Sequence, residues 1–379
     1  MVDDKDLLTS YRPDLPRLVP MNRNLMWFPT SVLNSKSSFT QKSIKVHWES
    51  IDPATKELQK HLFEFSPMQN NPLPLAEHSK LFDILLALYS NNMFIHGDDE
   101  KDALYFRITD VAEIANRQYT DGFRVSLAET VYRYMRCVAF WQNAYLANGR
   151  RGDLSCTLIR ESSLWDNSAG VADYKDRRRV RLSSPGRGSD KTTWCYVKFD
   201  NRITEVLHNG DTRLFLSEII KSNLKPVPYI IYRYFYAFSD IEYVERSLST
   251  LCQTFGFASR QTLFPKWFRS QLDEIAEVNL FDDYVWPEDI RNWEDARVRV
   301  KCKNFTRQNP IKDMDTGKLQ NIDNLTNLVL LEYYLEFKRR SILSAETVNM
   351  LEFIERTGGR DIFYGALKEA LKSNARFFK

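Results

Sequence analysis

The chain of 379 residues has no apolar run near the ~18 residues a membrane-spanning helix needs. Its best apolar stretches, Ile84–Tyr89 and Leu328–Leu331, are short, and its start, Met1-Val-Asp-Asp-Lys-Asp, has neither the basic nor the apolar region of a secretory signal. These absences point to a soluble, cytoplasmic protein without membrane partners. The five cysteines (Cys137, Cys156, Cys195, Cys252, Cys302) are scattered, and no pair has C-x-x-C spacing, which argues against a disulfide framework, a redox pair or a zinc site. Only 13 Gly and 14 Pro are present, excluding collagen-like and low-complexity classes.

The motifs of catalysis are missing too. The nearest approach to a phosphate-binding loop, Gly186-Arg-Gly-Ser-Asp-Lys-Thr, lacks the second glycine before Lys191. There is no H-E-x-x-H and no G-x-S-x-G, and the five histidines are isolated from one another. The acid pairs Asp98–Asp99 and Asp282–Asp283 fall in expected loops, where solvated charge is the simpler reading. The expectation is therefore no catalytic residue, no metal and no cofactor.

What is present is hydrophobic material for a core (43%, with 13% aromatics) and an uneven charge distribution. Net charge is only +3. Residues 174–198 nevertheless carry eight Lys/Arg against two Asp, a net +6, and residues 297–312 carry six Lys/Arg and no acid, another +6. The remaining 338 residues sum to −9. A body of that sign with two concentrated basic segments suits a polyanion binder; two solvated loops are the bland alternative.

Along the chain, residues 1–75 hold eight of the fourteen prolines and read as an N-terminal arm with two strand-like stretches, Ile44–Trp48 and Leu62–Ser66. Leu81, Ile84, Leu85 and Leu88 predict a helix over 77–90. Leu104–Ile108 alternates like a strand, and a second helix follows from Thr109. The capping-box pattern Ser126-Leu-Ala-Glu129 opens a predicted long helix to Leu146. Strand-like segments follow at 154–160, 177–182 and 192–199. The order then repeats: helices over 228–238, 242–255 and from Thr262, with Gly256 ending the second, then strands at 284–286 and 296–303. Residues 321–379 read as helical again, either an interaction module or packing for the second unit. The fold class expected is α+β and helix-rich: two tandem winged helices, at 76–200 and 225–305, between the arm and a helical C-terminal segment.

In a winged helix the exposed polar residues of the third helix read bases. The candidates are Arg124, Ser126 and Arg133, with Arg136, in the first unit. Arg133 and Arg136 could equally pair with acids of the body. In the second unit they are Arg260, Gln261, Lys266 and Arg269, with Ser259 and Ser270; arginine can bond guanine bidentately and glutamine adenine. Arg177, Arg178, Arg179 and Arg181, and the strand residues Arg297, Arg299, Lys301 and Lys303, are expected phosphate contacts. In that strand, same-side residues recur roughly every 7 Å, close to the phosphate spacing of one DNA strand.

The stretch 232–280 resembles the second winged helix of RepA-type plasmid replication initiators. The resemblance lies in Tyr234-Phe-Tyr-Ala-Phe, then Glu245-Arg-Ser-Leu-Ser-Thr-Leu-Cys-Gln-Thr-Phe-Gly, then 264–275. The stretch from Leu81 through Trp141 is similar to the first winged helix of the same class. The resemblance covers residues 78–305, rests on architecture and scattered residues, and departs from the family at the basic insertion 166–191. It implies a non-enzymatic initiator that binds repeated duplex sites (iterons) at a plasmid origin, recruits a host replication initiator or helicase, and forms homodimers. Three alternatives stand beside it: a winged-helix transcription regulator, a DNA-processing enzyme, and a scaffolding protein whose basic segments bind RNA or an acidic partner.

Overall fold

The structure, a computed structural model, describes residues 11, 13–15, 18–33, 41–51, 58–92, 102–147, 150–164, 194–208, 212–238, 243–257, 261–303, 334, 345–357 and 360–375. It corrects the reading of residues 1–75 as an arm. Strand β1 (Leu18–Asn22) pairs antiparallel with Thr212–Leu216, and the Asn22 side chain caps the short helix α1 (Arg23–Trp27) while donating to the Ile203 carbonyl at 3.0 Å. Strands β2 (Ile44–Ile51) and β3 (Leu58–Pro67) enter a four-stranded sheet. Pro20 and Pro67 sit within strands, Pro20 in a two-stranded ribbon and Pro67 at a strand end, where a missing N–H is tolerated. That is why proline density misled the arm reading.

Helix α2 (Ala76–Asn92) matches the predicted periodicity but is buried almost all round, as expected of a helix at the centre of a domain. Several of its polar side chains reach partners on other elements. Lys80 Nζ donates to the Ser222 and Leu224 carbonyls, at 2.7 and 3.2 Å. Ser90 donates to Pro20 O, and Asn91 Nδ2 to Asp14 O. Asp83 accepts two contacts of 2.7 Å from Arg233 Nη1 and one of 2.9 Å from the Tyr229 hydroxyl.

After α2 come β4 (Ala103–Arg107), α3 (Ile108–Ile114) and α4 (Asp121–Met135). Thr120 caps α4 by accepting from the Phe123 N–H. The predicted helix to Leu146 is wrong on both ends: α4 starts five residues before Ser126, and the chain turns at Arg136 into strand β5 (Cys137–Ala147). Cys137, Ala139 and Trp141 are buried while Val138 and Phe140 are only partly covered and Gln142 is exposed, a period of two that also mimics helical spacing over so few residues. Strand β6 (Arg150–Thr157) completes the sheet order β2-β3-β5-β6, all antiparallel. Phe28 lies over this sheet, its ring centroid 4.7 Å from Phe63 and 5.1 Å from Trp48. Strands β7 (Ile159–Ser163) and β8 (Trp194–Phe199) then join β4 in the order β4-β8-β7.

A connector of α5 (Asn201–His208), β9 (Thr212–Leu216) and α6 (Ser217–Ile220) leads to the second unit. This contains α7 (Pro226–Tyr236), β10 (Val244–Ser247), α8 (Leu248–Thr254), α9 (Phe264–Glu277), β11 (Phe281–Val285) and β12 (Arg297–Cys302). Its sheet order is β10-β12-β11. The single helix predicted over 242–255 is a strand followed by a helix: Ser247 ends β10 and caps α8 by accepting from Thr250 N–H at 3.1 Å. Gly256, with φ +60°, ends α8 in the left-handed conformation that glycine favours. The two units share one order, helix–strand–helix–helix–strand–strand, with the first strand beside the last. The first unit differs by inserting β5 and β6 after its third helix. The chain is thus a mixed α+β protein. Helices α10 (Ala345–Thr357) and α11 (Arg360–Ala375) pack on each other, burying Leu351, Phe363 and Leu367. Tyr334 apart, its ring edge-on to Phe363 at 6.0 Å, the rest of the expected C-terminal helical segment lies outside the described residues.

The units meet through α2 and α7, and the N-terminal segment braces the join. Trp27 donates its indole N–H to Ala237 O and stacks on Phe238 at 5.7 Å; Arg23 covers the Trp27 ring and Arg246 the Phe238 ring. At the centre, Arg233 and Asp83 are 2% and 1% exposed. Burial pushes the Asp83 pKa up, against the pull of Arg233 and Tyr229. Removing either charge strands the other in the core. Asp83→Ala and Arg233→Met should each cost about 3–5 kcal/mol in urea unfolding, and the double variant clearly less than their sum. Additive losses would show that the two groups are not coupled.

Candidate nucleic-acid interface

The third helix of the first unit, α4, turns its predicted DNA-reading cations inward. The Arg124 side chain is 8% exposed and donates to Asp121 at 3.2 Å. Ser126 donates to Glu77 at 2.8 Å, and Arg117 donates to the same carboxylate oxygen at 2.7 Å. Burial alone would raise the Glu77 pKa; these two partners outweigh it and lower it. Arg133, 5% exposed, donates to Glu129 and, at 2.6 Å, to the Leu73 carbonyl. Arg124, Ser126 and Arg133 are therefore corrected from groove contacts to structural ties: each lies on the side of α4 that packs against the body. The more open stripe holds Asp121, Val125, Glu129 and Tyr132, ending in exposed Arg136 over the Tyr132 ring. Two carboxylates along that stripe disfavour approach of a phosphate backbone.

Beside Arg133 sits His78, whose Nδ1 accepts from the Leu75 N–H at 2.9 Å. Burial, with Arg133 adding to it, pushes this imidazole down to about 4.

The third helix of the second unit is built the other way. Phe264, Phe268, Leu272 and Ile275 form its buried stripe. The 3₁₀ turn Gln261–Leu263 leads in, and Pro265 falls in the first helical turn, where no intrahelical bond is lost. The opposite stripe exposes Thr262, Leu263, Lys266, Arg269 and Ser270. Leu263 is 51% exposed. Among the described residues no carboxylate pairs with Lys266 or Arg269. The Arg269 guanidinium instead lies over the Trp286 ring, 5.8 Å from its centroid. Ser259 and Arg260 lie outside the described residues, as do Arg177, Arg178, Arg179 and Arg181; for Gln261 only the backbone is described.

Strand β12 bears out the predicted alternation: Val298, Val300 and Cys302 are buried and Arg297 and Arg299 exposed, with Lys301 and Lys303 half-buried. Its charge is less free than the linear sequence suggests. Arg297 and Arg299 share Glu245 of β10, at 3.1 and 3.7 Å. Arg299 and Lys301 cover the Tyr243 ring, whose hydroxyl donates to Asp283 of β11. The register that puts Glu245 opposite Arg299 and Asp283 opposite Lys301 brings two acids to a face with four cations.

The connection between β11 and β12, residues 286–296, carries Glu288, Asp289, Glu294 and Asp295 against Arg291 alone. All five are exposed, with Asp289 and Arg291 paired at 2.7 Å. Counting charge by segment rather than by loop hid this acidic hairpin, although its residues are plain in the sequence. Among the described residues no group of three His, Cys, Asp or Glu is placed to hold a metal ion, and no helix is long and apolar enough to cross a membrane. The five thiols are buried, and burial pushes each upward: Cys137, Cys156 and Cys195 to about 12, Cys252 to about 11.

No protein-family model matches this chain, and no curated protein sequence matches it. Two crystal structures of domains 2 and 3 of RctB are similar to it over long stretches, each at 14% sequence identity. One, from selenomethionine derivatives, aligns with a TM-score of 0.45 and covers 75% of this chain and 99% of that one. The other aligns with a TM-score of 0.39, covering 72% and 95%.

Two outcomes separate structural from exposed cations. Arg133→Ala should lower stability by about 2–4 kcal/mol in chemical unfolding, because Glu129 and the Leu73 carbonyl lose a buried partner. Lys266→Ala and Arg269→Ala should each shift it by less than about 0.5 kcal/mol. The His78 environment also sets an acid limit. Its folded pKa lies below the unfolded value of 6.5, so between pH 6.5 and 4 the unfolded chain binds a proton that the folded chain refuses, and stability falls as pH drops. The loss by pH 5 should be about 2 kcal/mol, and His78→Asn, which keeps an acceptor but does not titrate, should flatten that slope in urea melts.

Proposed function

We propose that the two units are tandem winged helices and that the chain is a sequence-specific duplex-DNA-binding protein of the replication-initiator kind. The shared element order, with the first strand beside the last in both sheets, supports the winged-helix reading. One observation carries the DNA reading: α9 exposes Lys266, Arg269 and Ser270 on one stripe, with no carboxylate of the described residues pairing either cation. Arginine and lysine at the start of a third helix are the side chains that meet guanine edges and phosphates in a major groove.

In this reading the second unit, 225–305, reads bases and the first, 76–200, supports it. The basic segments 174–198 and 297–312 add phosphate attraction, which positions without specifying. The resemblance to plasmid initiators supplies the finer content: repeated origin sites, a host initiator or helicase as partner, homodimers as a second state, a cytoplasmic setting, and no catalytic step, metal or cofactor. A winged-helix transcription regulator is the second reading, since the same exposed stripe on α9 would serve it equally.

The test is a binding selection from random duplex DNA followed by salt titration on the winning site. The expected result is a non-palindromic site, occurring as direct repeats where it is repeated, with base preference concentrated in one major groove. Lys266→Ala with Arg269→Ala should lower specific affinity roughly 10- to 100-fold. A palindrome would favour the regulator. Absence of enrichment, with binding that only follows salt, would overturn sequence-specific binding altogether.

A further inference from the structure

Arg269 is the exposed cation of α9 whose surroundings are most specified, and those surroundings come from outside the helix. One turn further along the same face stands Asp273, the natural partner for an arginine four residues earlier. That pair does not form. The Tyr284 hydroxyl of β11 donates to the Asp273 carboxylate, and the Trp286 ring lies beneath the Arg269 guanidinium at 5.8 Å. Burial, with Asp273 adding to it, pushes the Tyr284 phenol up to about 12, so it remains a donor across physiological pH. One aromatic residue occupies the competing acid and its hydroxyl also accepts from the guanidinium; the next lies against the guanidinium's face. Arg124 and Arg133, on the third helix of the first unit, are bonded to acids of that helix instead.

We propose that Trp286 and Tyr284 are positioning residues that hold Arg269 ready for bidentate contact with a guanine. The inference rests on the reading that α9 enters a major groove. It also gives the β11–β12 hairpin a role that its charge permits. With four carboxylates against one arginine, the hairpin is a poor grip for phosphates, and its useful contact is the inward one to α9. An arginine side chain free to sample many rotamers gives up that freedom on binding; one already laid on an indole gives up less and discriminates better.

The experiment uses the full chain and the duplex site recovered by selection, with every base pair varied in turn and an unrelated duplex as control. Arg269→Ala should abolish preference for one G·C pair. Trp286→Ala should weaken discrimination at that same pair about tenfold, with affinity for the unrelated duplex and the salt slope unchanged. Trp286→Phe, which restores a ring face, should recover most of it. Tyr284→Phe, which releases Asp273 to capture the guanidinium, should mimic Trp286→Ala and carries the test if the tryptophan variant does not fold. If Arg269→Ala removes the preference while Trp286→Ala and Tyr284→Phe leave it intact, the positioning role is overturned and the reading of α9 stands. If Arg269→Ala leaves every preference intact, the reading of α9 fails and the positioning role fails with it.

Discussion

A single charge pair in the core sets the terms for the rest of the molecule. Asp83 and Arg233 belong to the first helices of two units that are otherwise separate in sequence, and their charges have no solvent to fall back on. A buried pair of this kind contributes little net stability over well-packed apolar residues, but it tolerates almost no change in geometry, because each ion is intolerable alone. The Tyr229 hydroxyl and the two carbonyls held by Lys80 tighten the same seam. These polar contacts add directional constraints to the apolar packing between α2 and α7. Every element that hangs on those helices, including α9 packed against α7, inherits their orientation.

Two copies of one topology have been put to different uses. In the first unit the third helix buries its arginines and pairs them with carboxylates of its own preceding turn, Asp121 and Glu129. In the second it stays open, and its cations face out. What distinguishes the copies is burial, since both third helices carry arginine at helical spacing. A helix buried on several sides must neutralise its charges internally; one packed through a single apolar stripe need not.

The legible parts of the fold were those with local signals. Alternation in Arg297–Cys302, the apolar stripes of α2 and α9, and the glycine after α8 each report on a few neighbouring residues. Missed features depend on distant partners. Residues 18–67 looked like an arm because strands that pair with residues 137–147 and 212–216 leave no mark of that pairing in themselves. Strand β5 was taken for helix because Tyr134, Val138 and Trp141 recur at helical spacing, which outweighed the alternation of Cys137, Ala139 and Trp141. Ser126 and Glu129 matched a capping box but sit inside α4, engaged by Glu77 and Arg133. Of the site, Lys266 and Arg269 were legible from their offset to the apolar stripe. The acids beside Arg124 and Arg133 stand three and four residues earlier in the same helix, but the burial of the two arginines was not legible, since that is decided by what packs against α4. The acids facing β12 were equally hidden, because they come from β10 and β11.

The ribbon of β1 with β9 has a consequence for how the chain is made. Nearly two hundred residues separate Leu18 from its partner Leu216, and Asn22 from Ile203 is almost as far. On a ribosome the N-terminal strand emerges long before anything exists for it to pair with, and Asp83 emerges before Arg233. The first unit can collapse early, but its hub helix must keep one edge waiting until the chain has grown to residue 233. Contacts of such sequence separation form slowly even in a free chain, because a long loop must close before it is rewarded. Synthesis order thus keeps the seam between the units open until residue 233 has emerged, and leaves an unpaired strand and an unpaired acid exposed in the meantime.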